Sequence, residues 1–224
     1  MLASPATHGP RFLGVLMLDT RFPRLPGDVG HPASFAMPVR HRVVAGATAW
    51  RVVRERDADL ARPFIEAGRA LVAEGARALT TSCGFLVQLQ QVLQQALPVP
   101  VWTSSLLALP ALGRPGVLTV DAAALGAAHF LAAGADPATP VEGLPPHGHL
   151  QRVLLEDRPT LDPAQAEAEV VACAQHLVQR RPDVRELVLE CTNMPPYADA
   201  VAAATGRPVH HLLTLVHERW SLLA

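Results

Sequence analysis

The chain reads as an α/β protein of two pseudo-symmetric lobes, each a parallel sheet flanked by helices, with the active site in the cleft between them. Three observations predict this. Short apolar runs alternate with helix-like stretches along all 224 residues, the pattern of parallel sheets. Arg77-Ala-Leu-Thr-Thr-Ser-Cys83 recurs as Arg185-Glu-Leu-Val-Leu-Glu-Cys191, and Pro100-Val101 as Pro208-Val209, all at an offset of 108. Gly14-Val-Leu-Met-Leu-Asp19 recurs as Gly116-Val-Leu-Thr-Val-Asp121 at an offset of 102, a drift that loop insertions absorb. The duplication divides the chain into a loose leader (1–11), lobe 1 (12–108), lobe 2 (109–210) and a C-terminal helix (211–224) expected to pack back on lobe 1.

In chain order, Phe12 to Leu18 is an unbroken apolar run and predicts a buried parallel strand. The stretch from Asp19 to Pro38 is broken by prolines and by Gly27 and Gly30, so it predicts a long loop, and loops of that length are functional or mobile. Arg42 to Ala49 predicts a second strand. From Asp57, a good N-cap, apolar residues recur at helical spacing until Gly75. Ala78 to Ser82 predicts the strand leading to Cys83, Gly84 to Leu97 a helix, and Val99 to Thr103 a strand ending at Ser104. In the second half, Ala122 to Ala133 predicts an alanine-rich helix and residues 135–157 an irregular stretch. Asp162-Pro163 opens a helix to about Arg180, an N-cap with proline at the first helical position. Leu187 to Glu190 predicts a strand, Pro195 to Thr205 a helix, Val209 a strand, and His211 to Leu223 the last helix.

Composition excludes several classes. Half the residues are hydrophobic and the formal net charge is −1, with no basic run, so nucleic acid is not an expected partner. The first residues lack a secretory signal and no apolar run approaches a membrane span, which predicts a cytoplasmic protein with reduced cysteines and no membrane partner. The chain contains no lysine, which rules out a lysine Schiff base and a Walker-type phosphate loop. No cofactor is expected.

The two matched cysteines carry the functional signal. Cys83 and Cys191 each stand where a short strand meets a helix start, the end of an α/β sheet at which ligands bind. The positive end of a helix dipole favours the thiolate, so both thiols are expected to have lowered pKa values. Two such groups facing one carbon can act from opposite sides, one removing a proton and the other delivering one. Backbone donors at Gly84, Phe85 and Thr192 are placed to stabilise the enolate-like intermediate. Packing alone rarely selects cysteine at both equivalent strand ends. Cys173, inside a helix with no mate, is read as a small core residue.

Thr81-Ser-Cys83-Gly-Phe and Glu190-Cys191-Thr192-Asn193-Met-Pro195, with the first strand ending at Asp19, resemble the motifs of the aspartate/glutamate racemase superfamily over residues 12–217. The resemblance implies the two-lobed fold and cofactor-independent proton transfer, and therefore an isomerase. Cys83 and Cys191 would be the acid/bases, assisted by Asp19. Thr20, Ser82, Gly84, Phe85, Ser104, Thr192 and Asn193 would bind a small-molecule carboxylate or hydantoin. Members of that superfamily include hydantoin racemases, maleate isomerase with a nucleophilic cysteine, and arylmalonate decarboxylase, which keeps one cysteine of the pair. A non-catalytic binding relative is the alternative of a different class.

Departures from the superfamily's pattern concern the substrate. Cys83-Gly84-Phe85 replaces the usual Cys-Asn-Thr, and Asn193 stands where glutamate racemases have histidine. Glutamate is therefore not the expected substrate, and Phe85 points to a bulkier or less polar group. His147-Gly-His149 lacks the further ligands of a zinc site, so no metal is expected. The charged face of the 162–180 helix is read as solvated, with a homodimer left open.

Overall fold

The computed structural model describes residues 11–55 and 58–223. Residues 1–10 of the expected leader (1–11) and the expected N-cap Asp57 lie outside the described residues. Lobe 1 is built from β1 (Phe12–Leu18), β2 (Val39–Val44), α1 (Ala61–Ala73), β3 (Ala76–Thr81), α2 (Gln90–Ala96) and β4 (Val101–Trp102). Lobe 2 repeats the plan with β5 (Pro115–Thr119), α3 (Ala127–Ala132), β6 (Val141–Gly143), α4 (His149–Leu155), α5 (Pro163–Arg180), β7 (Glu186–Leu189), α6 (Ala198–Thr205), β8 (Val209–His211) and α7 (Leu212–Ser221).

Both sheets are parallel throughout and share one order, β2-β1-β3-β4 and β6-β5-β7-β8. All seven residues of β1 are buried, as expected of a strand covered on both faces. Gly14 of β1 and Gly116 of β5 show why the duplication kept a glycine at this position. A methyl group on Gly14 would stand 2.5 Å from Leu79 and 2.9 Å from Leu71 of α1. One on Gly116 would stand 2.9 Å from Leu177 of α5. In both lobes the missing side chain lets a helix lie directly on the sheet.

One hydrophobic core runs through both lobes, from Leu16 and Phe64 to Val117 and Leu187. A second cluster joins Leu212, Leu213, Leu215 and Val216 of α7 to Leu13, Val15 and Met17 of β1. The last helix of the chain thus packs on the first strand.

Several elements depart from the sequence expectation. β2 begins at Val39 and ends at Val44 rather than running to Ala49, and it is an edge strand whose polar residues blur the alternation. The helix expected over 84–97 is a 3-10 segment (Gly84–Leu89) followed by α2. The alanine-rich helix begins only at Ala127. The Asp121 side chain takes the Ala123 N–H and its carbonyl takes those of Ala124 and Leu125, so a turn precedes it. The stretch 135–157, expected to be irregular, holds β6 and α4. β6 is three residues long at a sheet edge, too short to show a period, and α4 follows a Pro145-Pro146 break.

Candidate active site

Each cysteine stands two positions past the end of its strand, Cys83 after β3 and Cys191 after β7, and the strand ends are tied to each other. Leu18 N–H donates to Ser82 Oγ at 2.8 Å, joining the ends of β1 and β3. Thr81 donates its hydroxyl to the Thr103 carbonyl at 2.7 Å, joining β3 to the chain after β4. Across the lobes, Thr192 Oγ1 donates to the Ser82 carbonyl at 2.7 Å. The residue after one cysteine is therefore bonded to the residue before the other. Ser105 Oγ adds a second link to the Leu189 carbonyl at 2.8 Å.

The 19–38 loop closes over this junction. Its Asp28 is buried and paired with Arg24 at 2.9 Å. Arg24 also donates to Thr20 Oγ1 at 3.0 Å and lies over the Phe22 ring at 4.7 Å. Asn193 Nδ2 donates to Asp28 Oδ2 in a short bond, which turns the Asn193 carbonyl oxygen toward the Cys191 thiol, 3.6 Å away. The backbone N–H groups of Arg21 and Phe22 both reach Asp157 Oδ1 of lobe 2, at 2.6 and 3.2 Å. Gly27, at a φ of +99°, lets the loop press on Pro196, 3.0 Å from where a Cβ would stand.

Between loop and lobes lies a cavity of about 30 Å³ that contains Ser82, Cys83, Gly84, Cys191, Thr192 and Asn193 in its wall. The remaining wall is apolar: Leu18, Phe22, Val53, Val120, Leu154 and Leu155 among others. That volume holds one or two water molecules, so the molecule is in a closed form.

Six expected site residues thus share one cavity, and four do not line it. Asp19 is exposed, and its Oδ2 accepts the Gly46 N–H at 2.9 Å. Leu18 lines the cavity, and strand alternation turns the next side chain away. Thr20 is engaged by Arg24. Phe85 is buried edge-on to His129, ring centres 5.1 Å apart. Ser104 caps the following 3-10 segment through Leu106 N–H. Cys173 donates to the Gly143 carbonyl at 3.3 Å within the core, and among the described residues no cluster is arranged to hold a metal.

The thiols depart from expectation in their acidity. Burial pushes the Cys83 pKa up to about 12, and the neighbouring Glu190 adds to the rise. The N–H groups of Phe85 and Leu86 and the charge of Arg24 oppose it. Cys191 is raised well above the usual thiol range, again by burial first and Glu190 second, with the Asn193 N–H opposing. The expected lowering fails because each cysteine is followed by a 3-10 segment, Gly84–Leu89 or Pro195–Tyr197, and not by a long α-helix whose dipole could outweigh desolvation.

Sequence reasoning assigns no role to Arg24, Asp28 or Glu190. A charged residue ending the apolar strand Leu187–Glu190 is the available sign for the last. The first two sit in a loop with no periodicity to read.

No protein-family profile matches the chain. It is 31% identical over 220 residues to a dimethylsulfoniopropionate lyase of Durusdinium sp. clade D, covering 88% of this chain and 70% of the relative. It is also 31% identical to dimethylsulfoniopropionate lyase 7 of Emiliania huxleyi (strain CCMP1516), over 90% of this chain but only 64% of that protein. The chain therefore spans about two thirds of these relatives. Among solved structures, the Gly74Cys mutant of arylmalonate decarboxylase superposes with a TM-score of 0.65 at 18% identity, covering 95% of this chain and 92% of that one. Allantoin racemase from Klebsiella pneumoniae superposes with a TM-score of 0.60 at 13% identity, over 96% and 89% of the two chains. The expected fold is thus found. The expected enzyme class is corrected: the sequence relatives are lyases and not isomerases.

Proposed function

The chain belongs to the family of the dimethylsulfoniopropionate lyases, and from that membership we propose that it is itself a lyase of the aspartate/glutamate racemase superfamily, acting on dimethylsulfoniopropionate or a close relative. The observation that carries the reading is the 31% identity to a named lyase over 88% of this chain and 70% of the relative. The closed cavity with two thiols supports it.

The substrate carries a carboxylate, an acidic C–H next to it, and a dimethylsulfonium group on the following carbon. Removing the α-proton makes an enolate-like carbanion, the same first event as in racemisation. With a leaving group on the next carbon, the electron pair forms a double bond, the carbon–sulfur bond breaks, and dimethyl sulfide departs, leaving propenoate. No second proton is delivered. Two matched thiols imply proton abstraction without fixing the fate of the carbanion, and the isomerase expectation fails at that step.

Within this reading Cys83 is the base and Cys191 the hydrogen-bonding acid. Cys83 receives the N–H groups of Phe85 and Leu86 and the field of Arg24, all of which favour a thiolate. Cys191 points its S–H at the Asn193 carbonyl oxygen, which favours the thiol. The substrate carboxylate would sit among the Thr192, Asn193 and Gly84 backbone at the polar end. Its dimethylsulfonium end would face Leu18, Phe22, Leu154 and Leu155. The test is to incubate the purified chain with dimethylsulfoniopropionate and follow dimethyl sulfide in the headspace. Release in step with propenoate is expected; release no faster than in buffer would sink the assignment.

A further inference from the structure

Glu190 stands immediately before Cys191, is fully buried, and does not line the cavity. Its Oε2 takes the Thr119 hydroxyl at 2.7 Å, while its Oε1 makes no hydrogen bond. That oxygen presses on Gly84, the residue after Cys83: a Cβ there would lie 2.3 Å from Oε1 and 2.3 Å from the Glu190 carbonyl. A buried carboxyl oxygen without a partner is costly, and here it is aimed at the junction of the two thiol-bearing turns.

We propose that Glu190 is the third member of a proton-sharing set with Cys83 and Cys191, taking up the proton that leaves Cys83 when its thiolate forms. The inference rests on the reading of the two cysteines as the reacting groups. The groups facing this carboxyl are the two thiols and Thr119, with the Arg24–Asp28 pair beyond Cys191. A thiolate beside a carboxylate would place two negative charges in one dry site. Moving the proton from sulfur to Oε1 keeps that charge at one. The S–H bond of Cys83 breaks and an O–H bond forms on Glu190. The thiolate then takes the substrate α-proton, the C–S bond breaks, and the electron pair leaves on dimethyl sulfide. The proton on Glu190 goes to water at the end of the cycle, matching the one proton the elimination releases. Burial holds the Glu190 pKa up to about 8, so the carboxyl can hold and release a proton near neutral pH.

The test is an ultraviolet titration of thiolate in the intact chain, subtracting a Cys83→Ser/Cys191→Ser double variant, and it needs no substrate. The wild type is expected to titrate in two stages shared by the set. Glu190→Gln, which keeps the shape and removes charge and proton, is expected to show thiolate at a pH lower by about 1–3 units, because the like charge is gone. Its elimination rate above pH 8, where the wild-type carboxyl is ionised and able to accept a proton, is nonetheless expected to fall about 10²-fold, because the acceptor is gone. An unmoved titration overturns the proposal, and so does a shifted titration with undiminished turnover. Should Glu190→Gln not fold, Thr119→Val decides: it removes the bond that lowers the Glu190 pKa, so the first stage must move to higher pH, and an unmoved stage overturns the idea. If dimethylsulfoniopropionate proves not to be the substrate, the titration still stands by itself.

Discussion

Asp28 joins two halves of the site that no local pattern connects. It is 2% exposed, holds the Arg24 guanidinium at 2.9 Å, and fixes the Asn193 amide. Asp28→Ala takes the counter-charge from a largely covered arginine, and denaturant unfolding should show a loss of about 3 kcal/mol. Glu190 leaves a second signature at this scale. The folded chain holds its proton to about pH 8, against an ordinary value of 4.5 for an exposed glutamate. Between those values the folded state binds more protons than the unfolded one, so stability falls as pH rises through that window. Midpoints of urea unfolding measured across the window should fall for the wild type relative to Glu190→Gln, the variant keeping the opposite trend of His211, whose pKa burial lowers to about 4. Parallel profiles for the two proteins would contradict the raised pKa of this carboxyl.

Among elements, the two strand–cysteine turns matter most, and Gly84 sets their separation. With 2.3 Å between an added Cβ and the Glu190 carbonyl, Gly84→Ala must push the two turns apart. A displacement on the order of 1 Å in such a site costs about 10²-fold in rate, which steady-state kinetics on a folded variant would reveal. The turns were legible because both cysteines share the 108 offset and end apolar runs. Gly14 and Gly116 likewise repeat visibly, and their packing role emerges only with α1 and α5 lying on them. β6 and α4 were not legible, since a three-residue edge strand after Pro140 has no measurable period. The contribution of Leu154 and Leu155 to the cavity was hidden with them. Asp19 is a different case: its place in the repeat is real, and the strand's alternation points its side chain away from the cavity.

Over the whole molecule, the chain holds a closed site between two copies of one sheet plan. The first strand is covered by the last helix, and the 19–38 loop is fastened to Asp157 of lobe 2. A cavity of about 30 Å³ cannot admit a substrate of several heavy atoms, so opening precedes binding. The loop's hold on Asp157 through Arg21 is exposed to solvent, and Asp157→Ala should speed alkylation of Cys83 several-fold while circular dichroism stays unchanged. Unaltered alkylation would place the opening elsewhere. Among the described residues no helix is long and apolar enough to cross a membrane. The fold was readable from the paired motifs. The enzyme class was not: proton removal by two thiols, as proposed for Cys83 and Cys191, leaves the fate of the carbanion to the substrate's leaving group.

The central proposal is that a thiol at the Cys83–Cys191 junction removes the proton that drives elimination. The most direct test is the rate of dimethyl sulfide release from dimethylsulfoniopropionate and from its α,α-dideuterated form, for the wild type, Cys83→Ser and Cys191→Ser. Release should be slower from the deuterated substrate, and each variant should lose about 10²–10⁴-fold in rate, the larger loss falling on Cys83. Wild-type rates in both variants would contradict a thiol base.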